Sequence, residues 1–582
     1  MFKRPWHRLP TLLSVVKLAK FRSRMRKKNL HDTAQLPHNN TGPQPAAKPD
    51  NSHIDFRTAD GSFNDLKQPH MGMAGTRFGR NVPNKDTHVD PATLMTPNPR
   101  EISRVTMTRD TFRPATTLNV LAAAWIQFQN HGWFNHGDNQ TDQRLNIPLA
   151  DDDPWPQEDR PMEVGKTLDD PTRVENDTTT PPTFINKVSH WWDGSQIYGS
   201  SEEELERLRS HTDGKLLINN DGLLPLDEAS NLDLTGFNDN WWIGLSVLHT
   251  LFVKEHNILC DHLKKEYPSW GDDKLLGHAR LINAALMAKI HTVEWTPGIL
   301  GTPALRIAMN ANWWGILGKG LKDKIGRLGD GEILSGIIGS PAEHHAAPYY
   351  LTEEFVSVYR LHPLIPDDFD IYGVNGSLRK QSNFFDASGK RTRGLVEEIG
   401  MVDLFYSMGI AHPGAITLHN YPKFLQQLRR DNGEVFDLAA VDILRDRERG
   451  VPRYNRFREL IGRDRVKSFE EITSNPTWQQ ELKQVYNNDI DSVDLMVGMF
   501  AEDLPKGFGF SDTAFRIFIL MASRRLKSDR FFTDDYRAEV YTQFGLDWIN
   551  DNTMIDVLKR HHPELNPSLD GVKNAFAPWK RL

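Results

Sequence analysis

Phe355-Val356-Ser357-Val358-Tyr359-Arg360-Leu361-His362-Pro363 is the stretch that decides how this 582-residue chain is read. Apolar residues recur at three- and four-residue spacing over 352–362, which predicts a helix. Pro363 cannot continue it, so His362 is expected in the last turn, with Tyr359 three residues earlier on the same face. A neutral imidazole at a helix end suits axial ligation of haem iron when its other ring nitrogen meets an acceptor. A phenol on that face would stand beside the porphyrin rather than under it. Taken alone, Tyr-x-x-His-Pro is more often packing than catalysis.

Two segments upstream bear on the choice. Trp125-Ile126-Gln127-Phe128-Gln129-Asn130-His131 closes an Ala-rich helix predicted over 117–131, and Gln127 and His131, four apart, share a face. A single histidine on an apolar helix is ordinarily a satisfied core residue. Ser189-His190-Trp191-Trp192-Asp193-Gly194-Ser195 sets out alternate oxygens from Ser189, Asp193 and Ser195, with the backbone carbonyl of Trp191 as a fourth. Hard oxygen donors in a short loop suit calcium. The plainer reading is a helix N-cap, Ser200 or Ser201 ahead of Glu202, Glu203 and Glu204.

Composition narrows the classes. With 38% hydrophobic residues, 29 Phe and 15 Trp, the chain has material for a large core. No apolar run approaches the ~18 residues of a membrane span. Cys260 is the single cysteine, which excludes disulfide scaffolds and multi-cysteine metal sites. A net charge of −7 argues against nucleic acid as a partner. Ten Lys/Arg and no acid lie in residues 1–30, leaving the other 552 residues at −17. With Trp6, Leu12, Leu13, Val16 and Leu18 between the charges, 1–30 reads as a basic amphipathic segment for a lipid surface, or as a solvated basic tail. Residues 31–100 read as an extended wrapping arm, and 101–582 as one large helical catalytic domain with further helices predicted over 245–266, 277–292, 437–449 and 512–527.

These pieces, in this order, resemble the animal haem peroxidase–cyclooxygenase superfamily, from about Thr58 to Thr533. Further matches are His249-Thr250-Leu251-Phe252, Asp437-Leu438-Ala439-Ala440-Val441, Arg445-Asp446-Arg447 and Val451-Pro452-Arg453-Tyr454-Asn455. The resemblance implies a mainly α, haem-dependent peroxidase-like fold in a single large helical domain. It makes His131 the distal and His362 the proximal haem residue, Gln127 the distal amide, and Asn420 the partner of the second His362 nitrogen. Within the superfamily the chain looks most like the fatty-acid α-dioxygenases. The discriminating segment is His291-Thr292-Val293-Glu294-Trp295-Thr296, whose His and second Thr hold the substrate carboxylate in that family. Ala522-Ser523-Arg524-Arg525-Leu526 matches the segment whose second Arg grips it too, pointing to Arg525 with Arg524 as the alternative.

The expected chemistry follows from that resemblance. A radical on Tyr359, generated with haem and with His131 as acid–base group, takes a Cα hydrogen from a free fatty acid. O2 adds there, giving a 2-hydroperoxy acid that loses CO2 to an aldehyde. The rival reading is a peroxidase or a polyunsaturated fatty-acid dioxygenase of the same superfamily. Departures from the pattern shape the rest. Asn238-Asp239-Asn240-Trp241-Trp242 lacks the arginine of true peroxidases, and Asn130 replaces the aspartate that tethers haem in mammalian members. Haem b is therefore expected to bind non-covalently, with poor peroxidase turnover. Gly132 replaces the usual calcium-binding aspartate, which weakens the calcium expectation. A cytoplasmic location, with peripheral membrane contact, is expected.

Overall fold

Asn119 opens the helix that carries the first motif: its side chain accepts from the Ala122 amide, and Val120–His131 follows. A computed structural model describes residues 5–40, 42–175, 177–430 and 433–582, so Lys3 and Arg4 of the basic segment lie outside the described residues. The elements that position the site are α1 (Thr11–Lys28), α2 (Val120–His131), α3 (Ile243–Glu266), α4 (Asp272–Ile290), α5 (Pro303–Trp314), α6 (Lys319–Ile325), α7 (Glu332–Ser335), α8 (Glu353–Val358), α9 (Leu438–Glu448) and α10 (Asp512–Ser528). Strands are confined, among the described residues, to three two-stranded sheets, all antiparallel. The architecture is mainly α, as expected.

The core is helix on helix. α4 lies against α3, and α3 against α2, around Trp125, Leu248, Phe252, Leu281 and Leu286, all buried. Truncating one such side chain to alanine costs about 3–5 kcal/mol, because the neighbours only partly close the void. α4 does not stop at Ile290 but widens into a π-helical turn, His291–Trp295. Such a turn inserts extra backbone and redirects side chains, and is frequent at functional sites.

Residues 31–100 hold little regular structure and are fixed by buried ion pairs: Arg57 with Asp529 at 2.9 Å, Arg77 with Asp170 at 2.6 Å and Arg80 with Glu354 at 2.9 Å. Removing one partner of such a pair strands a buried charge, at about 3–5 kcal/mol. α1 is no loose tail. Ser14, Leu18, Arg22, Met25 and Arg26 are buried on one face, against α5 and α10. The predicted helix over 352–362 ends early. α8 stops at Val358, Tyr359 is its C-cap, and His362 begins a 3-10 turn, His362–Leu364, instead of closing the helix. The cause is Pro363, which favours the first turn of a new element and disfavours helical backbone in the residue before it.

Candidate active site

Arg525 is the centre of the site. It sits in α10, 1% exposed, with its guanidinium carbon 4.2 Å from the Trp133 ring centre and 4.9 Å from that of Trp192. Its Nη2 donates to the Trp191 carbonyl at 3.2 Å, while Nε and Nη1 are sealed from water without a partner. A desolvated cation with two unmet donors is held at a cost, and burial weighs against its charge. The arrangement leaves guanidinium N–H groups to spare for an anion.

His291 faces the same aromatic box, its ring centre 5.4 Å from Trp133 and 5.2 Å from Trp192. Trp125 Nε1 lies 3.3 Å from His291 Nδ1. An indole only donates, so Nδ1 accepts and the proton is assigned to Nε2, which is buried and unpartnered. Burial first, and then Arg525, hold the imidazole well below its ordinary pKa, so it offers a neutral donor. Thr296 Oγ1 donates to the His291 carbonyl at 2.9 Å and would have to turn that proton to serve an anion. Trp192, His291, Thr296, Met309 and Phe518 line a narrow cavity of about 10 Å³, room for one water-sized group.

Tyr359 closes the group. Its ring centre is 5.3 Å from that of Trp133 and 6.0 Å from that of Phe518. Its hydroxyl is sealed and unpartnered, and burial drives the phenol pKa well above its usual value despite Arg525. The structure therefore brings Tyr359, His291, Thr296 and Arg525 together around Trp133 and Trp192. Those two tryptophans were missed by sequence reasoning, although both stand inside or beside the quoted motifs. Arg524, by contrast, turns away: its Nη2 donates to the backbone carbonyls of His344, Ala347 and Pro348. Neighbours on a helix point about 100° apart, so only one of the two reaches the box.

The residues expected around haem are placed as follows, with one correction to their partners. His131 ends α2, buried, its Nδ1 without a partner, and burial pulls its pKa down to about 3. Gln127 Oε1 accepts from Trp242 Nε1 at 2.9 Å, and its Nε2 donates to the Asn240 carbonyl at 3.3 Å. His362 keeps 31% of its side chain exposed. Its Nδ1 is 2.9 Å from Asp442 Oδ2, an ion-pair distance that lies off the ideal N–H direction. That leaves Nε2 as the ring nitrogen open to a ligand. The expected partner, Asn420, is engaged elsewhere. Its Nδ2 donates to the Arg113 and Ala415 carbonyls and its Oδ1 accepts from Arg109 and Arg113. Asp442 reaches His362 from α9 and is itself held by Tyr421 Oη at 2.8 Å and Arg360 Nη1 at 2.5 Å.

In the loop expected to offer calcium its oxygens, most of the donors are hydrogen-bonded within the protein. The Trp191 carbonyl is taken by Arg525, and Ser195 Oγ donates to the Gly132 carbonyl at 2.9 Å. Ser189 Oγ accepts from the Trp191 amide. Asp193 Oδ2 lies 3.4 Å from the Arg280 guanidinium yet is buried without a hydrogen-bond partner. A Cβ on Gly132 would meet Gln196 Oε1 at 2.4 Å, so the position of the missing aspartate is filled. Among the described residues no group of three or more His, Cys, Asp or Glu is placed to hold a metal.

Comparison with known proteins assigns this helical fold to a class. The animal haem peroxidase profile matches residues 56–576, so the chain belongs to that family. Within it the chain groups with the α-dioxygenases. It is 38% identical to α-dioxygenase 1 of Capsicum annuum over 99% of this chain and 89% of that one. With α-dioxygenase PIOX of Oryza sativa the identity is 37%, covering 99% and 93%. The crystal structure of the Arabidopsis thaliana fatty acid α-dioxygenase superposes with a TM-score of 0.90 at 36% identity, covering 100% of this chain and 91% of that one. A tyrosine-to-phenylalanine variant of the Oryza sativa enzyme, solved with palmitic acid, gives 0.89 at 35% identity, covering 99% and 94%.

Proposed function

We infer that the chain is a haem-dependent fatty-acid α-dioxygenase, in which Tyr359 takes a hydrogen from the carbon next to a carboxylate pinned by Arg525, His291 and Thr296. One observation carries the reading. The unpartnered donors of Arg525 and His291 share an aromatic box whose Trp133 ring also packs on Tyr359. The rice enzyme holding palmitic acid supports the substrate class.

Haem b, held by His362 with His131 and Gln127 as its distal residues, would supply the one-electron oxidation that makes the Tyr359 radical. The protein's own work is selection. A saturated acid has only weak activation at Cα, so the hydrogen taken must be chosen by position. Arg525 offers two prongs and His291 a third donor, and a guanidinium fork fixes orientation better than a lysine point charge. Holding Cα against the Tyr359 oxygen supplies the proximity effect. The phenol's high pKa keeps it protonated at rest, so it releases electron and proton together. The radical then takes hydrogen from Cα, O2 adds to the carbon, and the peroxyl recovers a hydrogen from Tyr359. The 2-hydroperoxy acid breaks its O–O and C1–C2 bonds, losing CO2 and water to leave an aldehyde one carbon shorter.

Mass spectrometry of products from a saturated acid and from a polyunsaturated one tests this. Oxygen at C2 in both is expected; oxygen in mid-chain of the polyunsaturated acid alone would overturn it. The reading does not depend on calcium, most of whose expected donors in the Ser189–Ser195 loop are hydrogen-bonded within the protein. Among the described residues no helix is long and apolar enough to cross a membrane. Residues 1–30 are read as a contact with a lipid surface, the reservoir of the acid.

A further inference from the structure

α1 packs behind the cavity that His291 and Thr296 line. Asn312 of α5 and Ser523 of α10 line that cavity. Each is gripped from outside by an α1 arginine: Arg22 Nη1 donates to Asn312 Oδ1 at 2.5 Å, and Arg26 Nη2 to Ser523 Oγ at 3.3 Å. Both arginines are buried and both pair with Glu332, the first residue of α7.

The opposite face of α1 is open, and its chemistry changes along the helix. The first two turns expose Leu12 (70%), Leu13 and Val16 (50%). The later turns expose Lys20, Arg24, Lys27 and Lys28. Leu12, Val16, Lys20 and Lys27 follow one stripe at helical spacing. Next to the Glu332 junction, α7 adds Ile333 (61%), bonded through its carbonyl to the amide of the half-exposed Ile316. An apolar patch that runs into a cationic stripe is the pattern of a helix lying in a membrane interface; a helix received in a protein groove would be apolar along its length. Charge points the same way, since these four exposed cations stand together on one helix of a chain that is otherwise −11, and they complement an anionic surface.

We propose that α1 docks the enzyme on an anionic lipid bilayer, with Leu12, Leu13 and Val16 entering the acyl boundary and Lys20, Lys27 and Lys28 meeting headgroups. The α1 side of the cavity then lies against the lipid from which the acid is drawn. This rests on the reading of the cavity lined by His291 and Thr296, with Arg525 beside them, as the carboxylate site.

Flotation of the haem-loaded full chain tests it, using phosphatidylcholine vesicles with and without about a quarter phosphatidylglycerol. The wild type is expected to float with the anionic vesicles, and to lose at least about tenfold in binding at high salt or on phosphatidylcholine alone. Leu12→Glu/Val16→Glu, on exposed positions and so with an unchanged melting temperature, is expected to stay unbound. It should oxidise detergent-dispersed acid at the wild-type rate and vesicle-borne acid more slowly. No flotation of the wild type, equal binding to neutral vesicles, or flotation of the double variant would overturn the proposal. An error in the cavity reading shows separately: flotation would persist while Arg525→Met oxidised acids normally.

Discussion

Replacing Arg525 by methionine separates a substrate clamp from a structural cation. Two of its N–H groups are buried and unpartnered, so in the free enzyme the side chain is a desolvated charge with one hydrogen bond, to Trp191. Methionine fills similar volume without the charge. It forgoes that bond and the stacking on Trp133 and Trp192, about 1–2 kcal/mol together, and relieves a burial penalty of the same order or larger. The melting temperature should therefore hold or rise. Binding of the carboxylate loses two charge-assisted hydrogen bonds, each about 1.5–3 kcal/mol. The expected loss in kcat/KM is about 10²–10⁴-fold, because the same contacts align Cα with Tyr359. Oxygen uptake on palmitate-length acids, with a thermal melt of the same sample, reads both. A variant that keeps kcat/KM within about threefold, or that fails to fold, would refute the reasoning.

Further outcomes follow from neighbouring groups. Glu294 lies in the π-turn with Oε1 sealed and unpartnered, and burial pushes its carboxyl up to about 7. A carboxyl raised in the fold stabilises only while protonated, so stability is full below its unfolded value near 4.5 and is lost as pH rises through about 7. Glu294→Gln should melt with the wild type at low pH and be more stable above neutrality by on the order of 2–3 kcal/mol; equal melts at both ends would remove the argument. Asp442→Asn should weaken haem retention by about 10–100-fold and shift the Soret band, whereas Asn420→Ala should leave the band in place. Chelation with EGTA should leave the melting temperature unchanged, and a drop of several degrees would show that the Ser189–Ser195 loop does carry calcium.

Most of the fold was legible because long helices announce themselves by period, as α3, α4 and α10 do. The histidines and Tyr359 were legible because their motifs are local. What sequence left open was non-local. Arg524 and Arg525 are adjacent and alike in type, and only packing shows that one is spent on carbonyls while the other faces the box. Asp442 stands in an apolar helical run, and its pairing with His362 spans 80 residues of chain. Asn420 looked suitable by type alone, yet its amide braces the 109–113 and 415 backbone. The early end of α8 was hidden because apolar periodicity continues to Leu361 after the backbone has already left the helix.

The central claim is that the Tyr359 oxygen removes the Cα hydrogen. Tyr359→Phe changes one buried, unpartnered hydroxyl, so fold and haem should be untouched. Oxygen uptake recorded beside the Soret band of the same sample is the direct test. An intact band with no uptake on a saturated acid is predicted, and an intact band with uptake near the wild-type rate would contradict the account.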